Sequence, residues 1–348
     1  MRIPMKKNKG TALIMVLLAI AVMIIAASTI AVRFNRVFFI TNNADQVQIS
    51  RWYVDGIEGI IKKYMIDDFK KTKSKVYLGM NWAQPNQVIP LDDSVISGTV
   101  HDEMACFNIN SLANNLSFDI SSTDAMQNTD YRLLDRPYPA LVFKHLIMLT
   151  GADENTADTI VDSSIDWIDN DSDMKSSVGA EDQYYSSIPS PHLTAQGYFY
   201  DKSEIRAVRG MTAEIYRRLE PLICALPTSD LNISVNMLTF KKAPLLSAVF
   251  LETMDLNTAL NVINKERPEY GWDTVDGFMN NSVISKYSES VQGLDKRLQK
   301  VIVTNSNYFV ANIKVSFGEH EFAFRSRFFR DADTSLVVYQ RLRGELNE

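Results

Sequence analysis

The sequence has two cysteines among its 348 residues, no proline over residues 5–84 and no glycine over residues 11–55. So few cysteines exclude a disulfide-rich scaffold, and the chain has no C-x-x-C pair. Proline and glycine are the residues that most often interrupt a helix, so their absence allows one long helix near the N-terminus. Apolar and aromatic residues recur there at helical spacing, at Tyr53, Ile57, Ile60 and Tyr64.

Charge is absent from Thr11 to Val32, a run of 22 residues that follows four basic residues and Gly10. A helix of that length measures about 33 Å, enough to cross the hydrocarbon of a bilayer. Positive charge beside the first apolar helix stays on the cytoplasmic side, so everything after the run would lie across the membrane. The sequence predicts a single-pass anchor.

The helix is expected to continue beyond this span. One helix of about 60 residues would be about 90 Å long, and its exposed half must pack on a globular head that covers the stripe around Tyr53 and Tyr64. The alternative is a membrane anchor followed by a separate amphipathic helix.

Sequence signatures of common catalytic sites are also missing. The chain has no Gly-rich phosphate loop, no G-x-S-x-G and no H-E-x-x-H, and its four histidines are scattered. The sequence therefore predicts a protein that is not an enzyme and has no catalytic residues.

The acidic residues are concentrated in one region. The net charge is −6, and residues 151–204 hold twelve acids against Lys175 and Lys202. Nucleic acid is a poor partner for such a surface, because binding it requires Lys and Arg to neutralise phosphates. Two turns at Gly151 and Gly210 resemble helix-hairpin-helix units, which often bind DNA, but the surrounding acid favours a plain packing role for them.

Six of these acids are predicted to form a metal site. Carboxylates crowded so closely repel unless they are protonated, solvated or bridged by a cation, and hard oxygen ligands suit calcium. The loop is not an EF-hand, because Met174 stands where the glycine should be and Ala180 where the closing Glu should be. A solvated acidic loop is the alternative. The predicted ligands are Asp166, Asp169, Asp171, Asp173, Glu181 and Asp182.

Alternating apolar residues predict strands at both ends of the globular part. Residues 87–91 and 95–102 form an expected hairpin, residues 309–328 alternate around a turn near Gly318, and residues 336–342 add a last strand. The residues between these two groups have mostly helical spacing. The predicted fold is α+β, an antiparallel sheet packed on the long N-terminal helix, with a large all-α, helix-hairpin-helix-like insertion.

The border between the basic leader and the apolar helix resembles a prepilin peptidase site, where the leader is cut and the helix is kept. Cleavage would fall between Gly10 and Thr11, so the mature chain would start at Thr11. Mature pilins usually carry Glu at their fifth position, which Met15 occupies here. That acid is thought to pair with the amino terminus of a neighbouring subunit, so its loss favours a subunit that needs no such partner.

Several segments, in order, resemble the type II secretion system protein K family of large minor pseudopilins. They are residues 101–112 (HDEMACFNINSL), 166–171 (DWIDND), 179–185 (GAEDQYY), 204–208 (EIRAV), 224–227 (CALP) and 232–236 (NISVN). The resemblance covers most of the chain, and that family also lacks an acid at the position of Met15. It implies a pilin-like helix and sheet, a large helical insertion and structural calcium in the acidic region.

The function that the resemblance implies is structural. The family caps the short periplasmic pseudopilus with the minor pseudopilins I and J, supporting pseudopilus assembly and protein export across the outer membrane. The implied location is the inner membrane with the globular part in the periplasm, and prepilin peptidase and exported substrates are further expected partners. Cys106 and Cys224 would then lie in an oxidising compartment, which favours a disulfide over two buried free thiols.

The predicted organisation leaves two functional alternatives. One is a type IV pilus minor pilin with an adhesive or DNA-binding head, which Met15, the insertion and the acidic signature argue against. The other is a membrane-anchored calcium-dependent enzyme, which lacks any catalytic constellation. The predicted segments are a leader at 1–10, a transmembrane helix at 11–32, its periplasmic continuation at 33–75, a pilin-like α/β domain at 76–112 and 227–348, and an inserted helical domain at 113–226.

Overall fold

The computed structural model of the protein describes residues 11–85, 87–91, 94–113, 136–291, 293–317, 320–332 and 335–344. The predicted leader with Gly10 lies outside the described residues, as does the 114–135 part of the predicted insertion. By its internal contacts the chain forms two units, Met1–Glu58 and Gly59–Glu348. The α-helices are α1 Thr11–Thr72, α2 Tyr138–Leu149, α3 Glu154–Ile168, α4 Asp182–Ser187, α5 Ala213–Leu219, α6 Ala243–Val249, α7 Leu256–Asn261, α8 Val275–Met279, α9 Ser282–Ser288 and α10 Leu294–Val301.

α1 is one helix of 62 residues, so the chain has no break between the apolar span and the helix that follows it. Within the first unit, every side chain from Thr11 to Asp45 is exposed. The most apolar window of α1 has a mean hydropathy of 2.9, which is apolar enough to cross a membrane. Among the described residues, α1 alone meets that test of length and composition.

The second unit contains a five-stranded antiparallel sheet. Its strands are β1 Gln87–Leu91, β2 Ser94–Asp102, β7 Tyr308–Phe317, β8 His320–Ala332 and β9 Ser335–Arg343, and they lie in this order across the sheet. Outside this sheet are two short parallel pairs, β3 Phe107–Asn108 with β4 Ile223–Cys224, and β5 Ile233–Ser234 with β6 Ile302–Val303. The predicted α+β fold, with its antiparallel sheet and α-rich middle, is confirmed.

The last turns of α1 pack on this sheet through an aromatic cluster. The ring of Phe69 lies 5.5 Å from that of Phe309 on β7, and the Trp82 ring lies 5.2 Å from Phe309. Ala311 and Ile313 follow Phe309 on the same buried face, because side chains two positions apart on a strand share a face. The alternating apolar residues seen in the sequence therefore form the inward face of β7, which the end of α1 covers.

In the sequence, helices α2 to α10 lie between strands β1 and β2 and strands β7 to β9. α2 and α3 form a hairpin whose turn uses Gly151 at φ 95°, a left-handed conformation that glycine adopts without steric cost. The Arg218 side chain on α5 donates to the Thr150 carbonyl of this turn at 2.8 Å. The turn is therefore a packing device within the protein, with a neighbouring helix bound to it.

The turn expected at Gly210 divides residues 202–219 into two helical elements. Residues Lys202–Ala207 form a 3-10 helix, and α5 begins only after Thr212, whose side chain accepts a hydrogen bond from the Ile215 N–H as a helix cap. Gly210 between them has φ 87°, which no helix accommodates. The predicted break at Gly210 is therefore present, and the two helical elements lie on either side of it.

Cys106 and Cys224 form a disulfide between positions 118 residues apart. The two cysteines are buried in a cluster with Met104 and Leu226. The bond lies beside the paired strands β3 and β4, since Cys106 precedes β3 and Cys224 ends β4. The disulfide therefore joins the segment that follows β2 to the segment that follows α5.

Candidate metal centre

The predicted acidic loop follows α3 directly. Asp153 caps the start of α3 by accepting a hydrogen bond from the Thr156 N–H at 3.0 Å, and the last turn of α3 carries Asp166. Asp169 is the residue after the helix, and α4 begins at Asp182. The loop that joins the two helices thus has acids fixed at both of its ends.

Asp166 closes this loop. Its Oδ1 accepts a hydrogen bond from the Lys175 N–H at 2.8 Å, and its Oδ2 accepts one from the Ala180 N–H at 2.7 Å. The side chain is fully buried, and burial raises the pKa of Asp166 to about 6. Asp166 therefore acts as a tie across the base of the loop.

Gly179 is required by this closure. A Cβ at position 179 would lie 2.2 Å from Asp166 Oδ2, which is closer than two non-bonded heavy atoms can approach without a steric clash. The loop backbone can reach the Asp166 carboxylate only because position 179 has no side chain. The segment 179–185, which resembles the family signature, thus begins at a position where the closed loop requires glycine.

Three of the six predicted ligands meet at this loop. One carboxylate oxygen each from Asp169, Asp171 and Glu181 lies within 4.8 Å of the other two. Glu181 is buried, Asp169 is partly buried and Asp171 is exposed, so the cluster opens to solvent on one side. This is the arrangement in which one ion could touch all three groups.

The cluster has buried oxygen atoms without hydrogen-bond donors. Among the described residues, neither carboxylate oxygen of Glu181 nor Oδ1 of Asp169 has a partner. Burial, together with repulsion from Asp166, Asp169 and Asp171, raises the pKa of Glu181 to about 7. Burial and the Asp171 charge also raise the pKa of Asp169. Negative oxygens that lack donors and repel one another fit a bound cation, and an all-oxygen set fits a hard divalent ion.

The other three predicted ligands are placed differently. Asp182 Oδ1 accepts hydrogen bonds from both N and Oγ1 of Thr194, each at 2.8 Å, and these hold the pKa of Asp182 below its ordinary value. The Asp173 N–H donates to Asp171 Oδ1 at 2.9 Å, while its own carboxylate lies outside the cluster. With Asp166 tied to the loop backbone, these acids shape the loop around the three that converge.

Aromatic side chains support the loop from the α3 side. The Trp167 ring is stacked on Phe199 with centroids 5.9 Å apart, and the edge of Tyr185 meets Trp167 at 5.4 Å. Trp167 and Tyr185 are both buried. An indole ring is therefore fixed one residue after Asp166 and two before Asp169.

Arg209 is a contact that the sequence did not reveal. Its Nη1 donates to the Gly179 carbonyl at 2.8 Å, and its guanidinium lies 4.8 Å from the centre of the Tyr184 ring. In the sequence, the only signal near Arg209 was the turn predicted at Gly210. A turn does not indicate which residue the Arg209 side chain will contact. A cation that fastens the acidic loop thus comes from a separate part of the chain.

Sequence comparisons identify the family. Two sequence models described as type II secretion system (T2SS), protein K, match residues 105–228 and 233–299. Protein K of Aeromonas hydrophila is 34% identical, with 97% of this chain and 98% of the relative covered. Protein K of Pectobacterium carotovorum subsp. carotovorum is 32% identical, with 97% of each chain covered.

A solved structure has the same fold. A chain in the crystal structure of the GspK-GspI-GspJ complex from the enterotoxigenic Escherichia coli type 2 secretion system matches with a TM-score of 0.75 and 27% identity. The match covers 88% of this chain and 99% of the solved one. The resemblance found in the acidic and cysteine-containing segments is confirmed over the full length. The chain therefore belongs to the type II secretion system protein K family, the minor pseudopilins of that system.

Proposed function

We propose that this pseudopilin occupies the tip of the type II secretion pseudopilus in a complex with the minor pseudopilins I and J, and so supports pseudopilus assembly and protein export. The observation that carries the proposal is the match to almost the whole of a chain from a GspK-GspI-GspJ complex. Met15 adds support, since a subunit without an acid at that position lacks the group thought to pair with a neighbour.

The test is reconstitution. The full-length chain in non-ionic detergent, mixed with pseudopilins I and J from the same bacterium, should elute from a sizing column as one species containing all three. Co-elution with neither partner would overturn the proposal. Specific binding to a DNA duplex, or to cells lacking a secretion system, would favour the type IV pilus alternative.

We also propose that α1 anchors the protein in the inner membrane after prepilin peptidase cuts between Gly10 and Thr11, with the second unit in the periplasm. The exposed apolar side chains from Thr11 onward and the uncharged span support this placement. Intact mass measured on protein from membranes should match a chain that starts at Thr11, with an added methyl group. The full mass should return in cells without the peptidase. An uncut leader in normal cells would contradict the proposal.

The acidic cluster is proposed to bind a structural calcium ion through Asp169, Asp171 and Glu181. Calcium accepts irregular sets of oxygen ligands and completes its shell with water, which the exposed side of the cluster admits. The chain's own residues supply three carboxylates held in place by the Asp166 tie and the Arg209 contact. The ion would supply positive charge where three carboxylates otherwise repel.

Two matched variants test the calcium proposal. In Glu181→Gln, calcium should no longer raise the melting temperature, and the calcium-free protein should melt higher than the calcium-free wild type because a repelling charge is gone. Asp173→Asn removes the same charge from the same loop outside the cluster, and it should keep the calcium effect. Equal losses in both variants would indicate a solvated acidic loop without a defined site.

Terbium gives an independent readout. Tb³⁺ takes oxygen ligands like calcium and emits when a nearby indole absorbs, and Trp167 is fixed two residues before Asp169. The wild type should sensitise Tb³⁺ emission that calcium displaces, whereas Glu181→Gln should not. Emission that is unchanged in Glu181→Gln would place the ion elsewhere.

A further inference from the structure

A groove lined by lysines lies at the C-terminal end of α1, far in sequence from the acidic loop. We define the lysine groove by Lys71, Lys73, Lys75, Tyr77, Tyr270 and Asp273. It is a cavity of about 860 Å³, open to solvent, and Val303 to Asn305 form part of its wall. All of these residues belong to the second unit.

The turn that presents the lysines is held firmly. The Ser74 N–H donates to the Phe69 carbonyl at 2.9 Å, and Thr72 Oγ1 donates to the Lys75 carbonyl at 2.7 Å. Lys75 then pairs with Asn305 as an isolated antiparallel bridge. The groove thus has a fixed backbone on the side that carries its positive charge.

Lys73 and Ser74 adopt an unfavourable backbone conformation. Their φ angles are 53° and 68°, in the left-handed region where helix ends usually place glycine. A side chain at these positions costs free energy that glycine would avoid. Lysine therefore stands at the mouth of the cavity at a position where glycine would be less strained.

The positive charge of the groove is only partly compensated. Lys75 Nζ lies 2.6 Å from Asp273 Oδ1, and Lys71 lies 3.9 Å from Asp68 with its side chain 73% exposed. Within the described part of the chain, Lys73 has no acidic partner within 4.0 Å, and Asp273 is the one acid that lines the groove. The ammonium group of Lys73 is therefore available to a ligand, and that of Lys71 is exposed and only loosely paired.

An aromatic surface lies next to these charges. The rings of Tyr77 and Tyr270 meet edge to face with centroids 5.7 Å apart, and Tyr270 is 60% exposed. Lys75 Nζ lies 5.7 Å from the centre of the Tyr77 ring. Exposed tyrosine beside lysine suits a ligand that combines carboxylates with an apolar or aromatic side chain.

We propose that the lysine groove binds an acidic, extended segment of a protein in transit through the secretion system. The proposal rests on the proposed function, because a protein in transit is the kind of partner that a pseudopilus tip would meet. Permanent subunit interfaces are apolar at their centres and depleted of lysine, whereas this groove is polar and charged. Surface charge of this kind speeds association and suits short-lived contacts.

The first test is peptide binding to the full-length chain in non-ionic detergent. The probe is a fluorescein-labelled decapeptide with five Glu and two Phe, and its control has Gln in place of every Glu. We expect the Glu peptide to bind at least tenfold more tightly, and the difference to shrink as salt is raised. Equal binding of the two peptides would overturn the proposal.

Matched variants locate the site. Lys71→Gln with Lys73→Gln should weaken binding of the Glu peptide at least tenfold, and Tyr270→Ala should weaken it several-fold. The control pair Lys296→Gln with Lys300→Gln removes the same charge from exposed positions of α10 and should leave binding unchanged. Equal effects of the two lysine pairs would overturn the proposal in favour of general charge attraction.

Further measurements distinguish an acidic peptide from a lipid, a free anion or another subunit as the ligand of the groove. Complete displacement of the peptide by phosphatidylglycerol vesicles or by millimolar inorganic phosphate would overturn the proposal in favour of a lipid or anion site. Loss of peptide binding in the assembled complex with I and J would assign the groove to a subunit instead. The Lys71–Lys73 variant should still assemble with I and J, so failure of the groove and failure of the tip function give different results.

Discussion

Arg327 on β8 donates from Nε to Oε1 of Glu103 at 3.1 Å, and the two side chains are 6% and 12% exposed. Arg327 also donates from Nη1 to Gln340 at 2.7 Å and lies 3.7 Å from Asp201. Burial raises the pKa of Glu103, and the Arg327 charge opposes that rise. One guanidinium thus joins the sheet to the segment before Cys106 and to the helical part of the chain.

Replacing Arg327 tests how much this join contributes. Arg327→Met should lower the free energy of unfolding by about 3 to 5 kcal/mol, because it leaves the Glu103 carboxylate buried without its partner. Denaturant unfolding of the full-length chain in detergent measures this. The double variant Glu103→Gln with Arg327→Met should recover part of the loss, and a double variant no more stable than Arg327→Met would contradict the explanation.

Removing the disulfide should lower stability through the unfolded state. The bond closes a loop of over a hundred residues, for which the chain-entropy model gives up to about 4 to 5 kcal/mol. Cys106→Ala with Cys224→Ala should therefore melt well below the wild type, and a reductant should lower only the wild-type value. A double variant within about 1 kcal/mol of the wild type would show that burial of the cluster, and not the cross-link, stabilises this region.

Gly179→Ala should disrupt the acidic loop. Its Cβ would lie 2.2 Å from Asp166 Oδ2, so the Asp166 tie must lengthen, and we expect a loss of about 1 to 3 kcal/mol together with weaker calcium binding. Gly197→Ala is the control, because a Cβ there meets its nearest atom at an ordinary 3.7 Å. Thermal melts of both variants, with and without calcium, make the comparison, and equal behaviour of the two would refute the steric argument.

Asp102→Asn should change how stability depends on pH. Burial raises the pKa of Asp102 from 3.8 to about 6, although the N–H groups of Met104 and Ala105 donate to it. Because the folded pKa is the higher one, this group's contribution is fully present below pH 3.8 and is lost as the pH rises to about 6. The loss amounts to roughly 2 to 3 kcal/mol.

The measurement is the difference in unfolding free energy between Asp102→Asn and the wild type across that pH range, at constant calcium. The variant should gain on the wild type as the pH rises, because its amide cannot ionise. A difference that stays constant from pH 4 to pH 7 would show that Asp102 keeps its ordinary pKa in the folded protein.

Local pattern was enough to predict the sheet. The strand expected at 87–91 is β1, and the strand expected at 336–342 lies within β9, because alternation depends only on which face each residue presents. The extent of β8, 13 residues, was not predicted, since its register with two neighbours decides where it ends. The turns at Gly151 and Gly210 were also predictable, because each glycine interrupts a helical apolar pattern, and both adopt a positive φ in the structure.

The acidic cluster was predicted as a region with six candidate ligands, but not as the set of contacts that the structure shows. Alternate acids indicated a cation, but nothing in their spacing shows that Asp166 is bound by two loop N–H groups or that Asp182 is bound by Thr194. Those partners depend on how the loop closes. Arg209 enters from beyond the loop, so its contact exists only in the folded chain.

The position of the disulfide has a mechanical consequence. β3 and β4 are paired over only two residues each, and so few hydrogen bonds part readily when pulled. Cys106 and Cys224 join the chain covalently at that same point. A force that pulls the segment after α5 away from the segment before β3 is therefore carried by the disulfide, and the two short strands carry little of it.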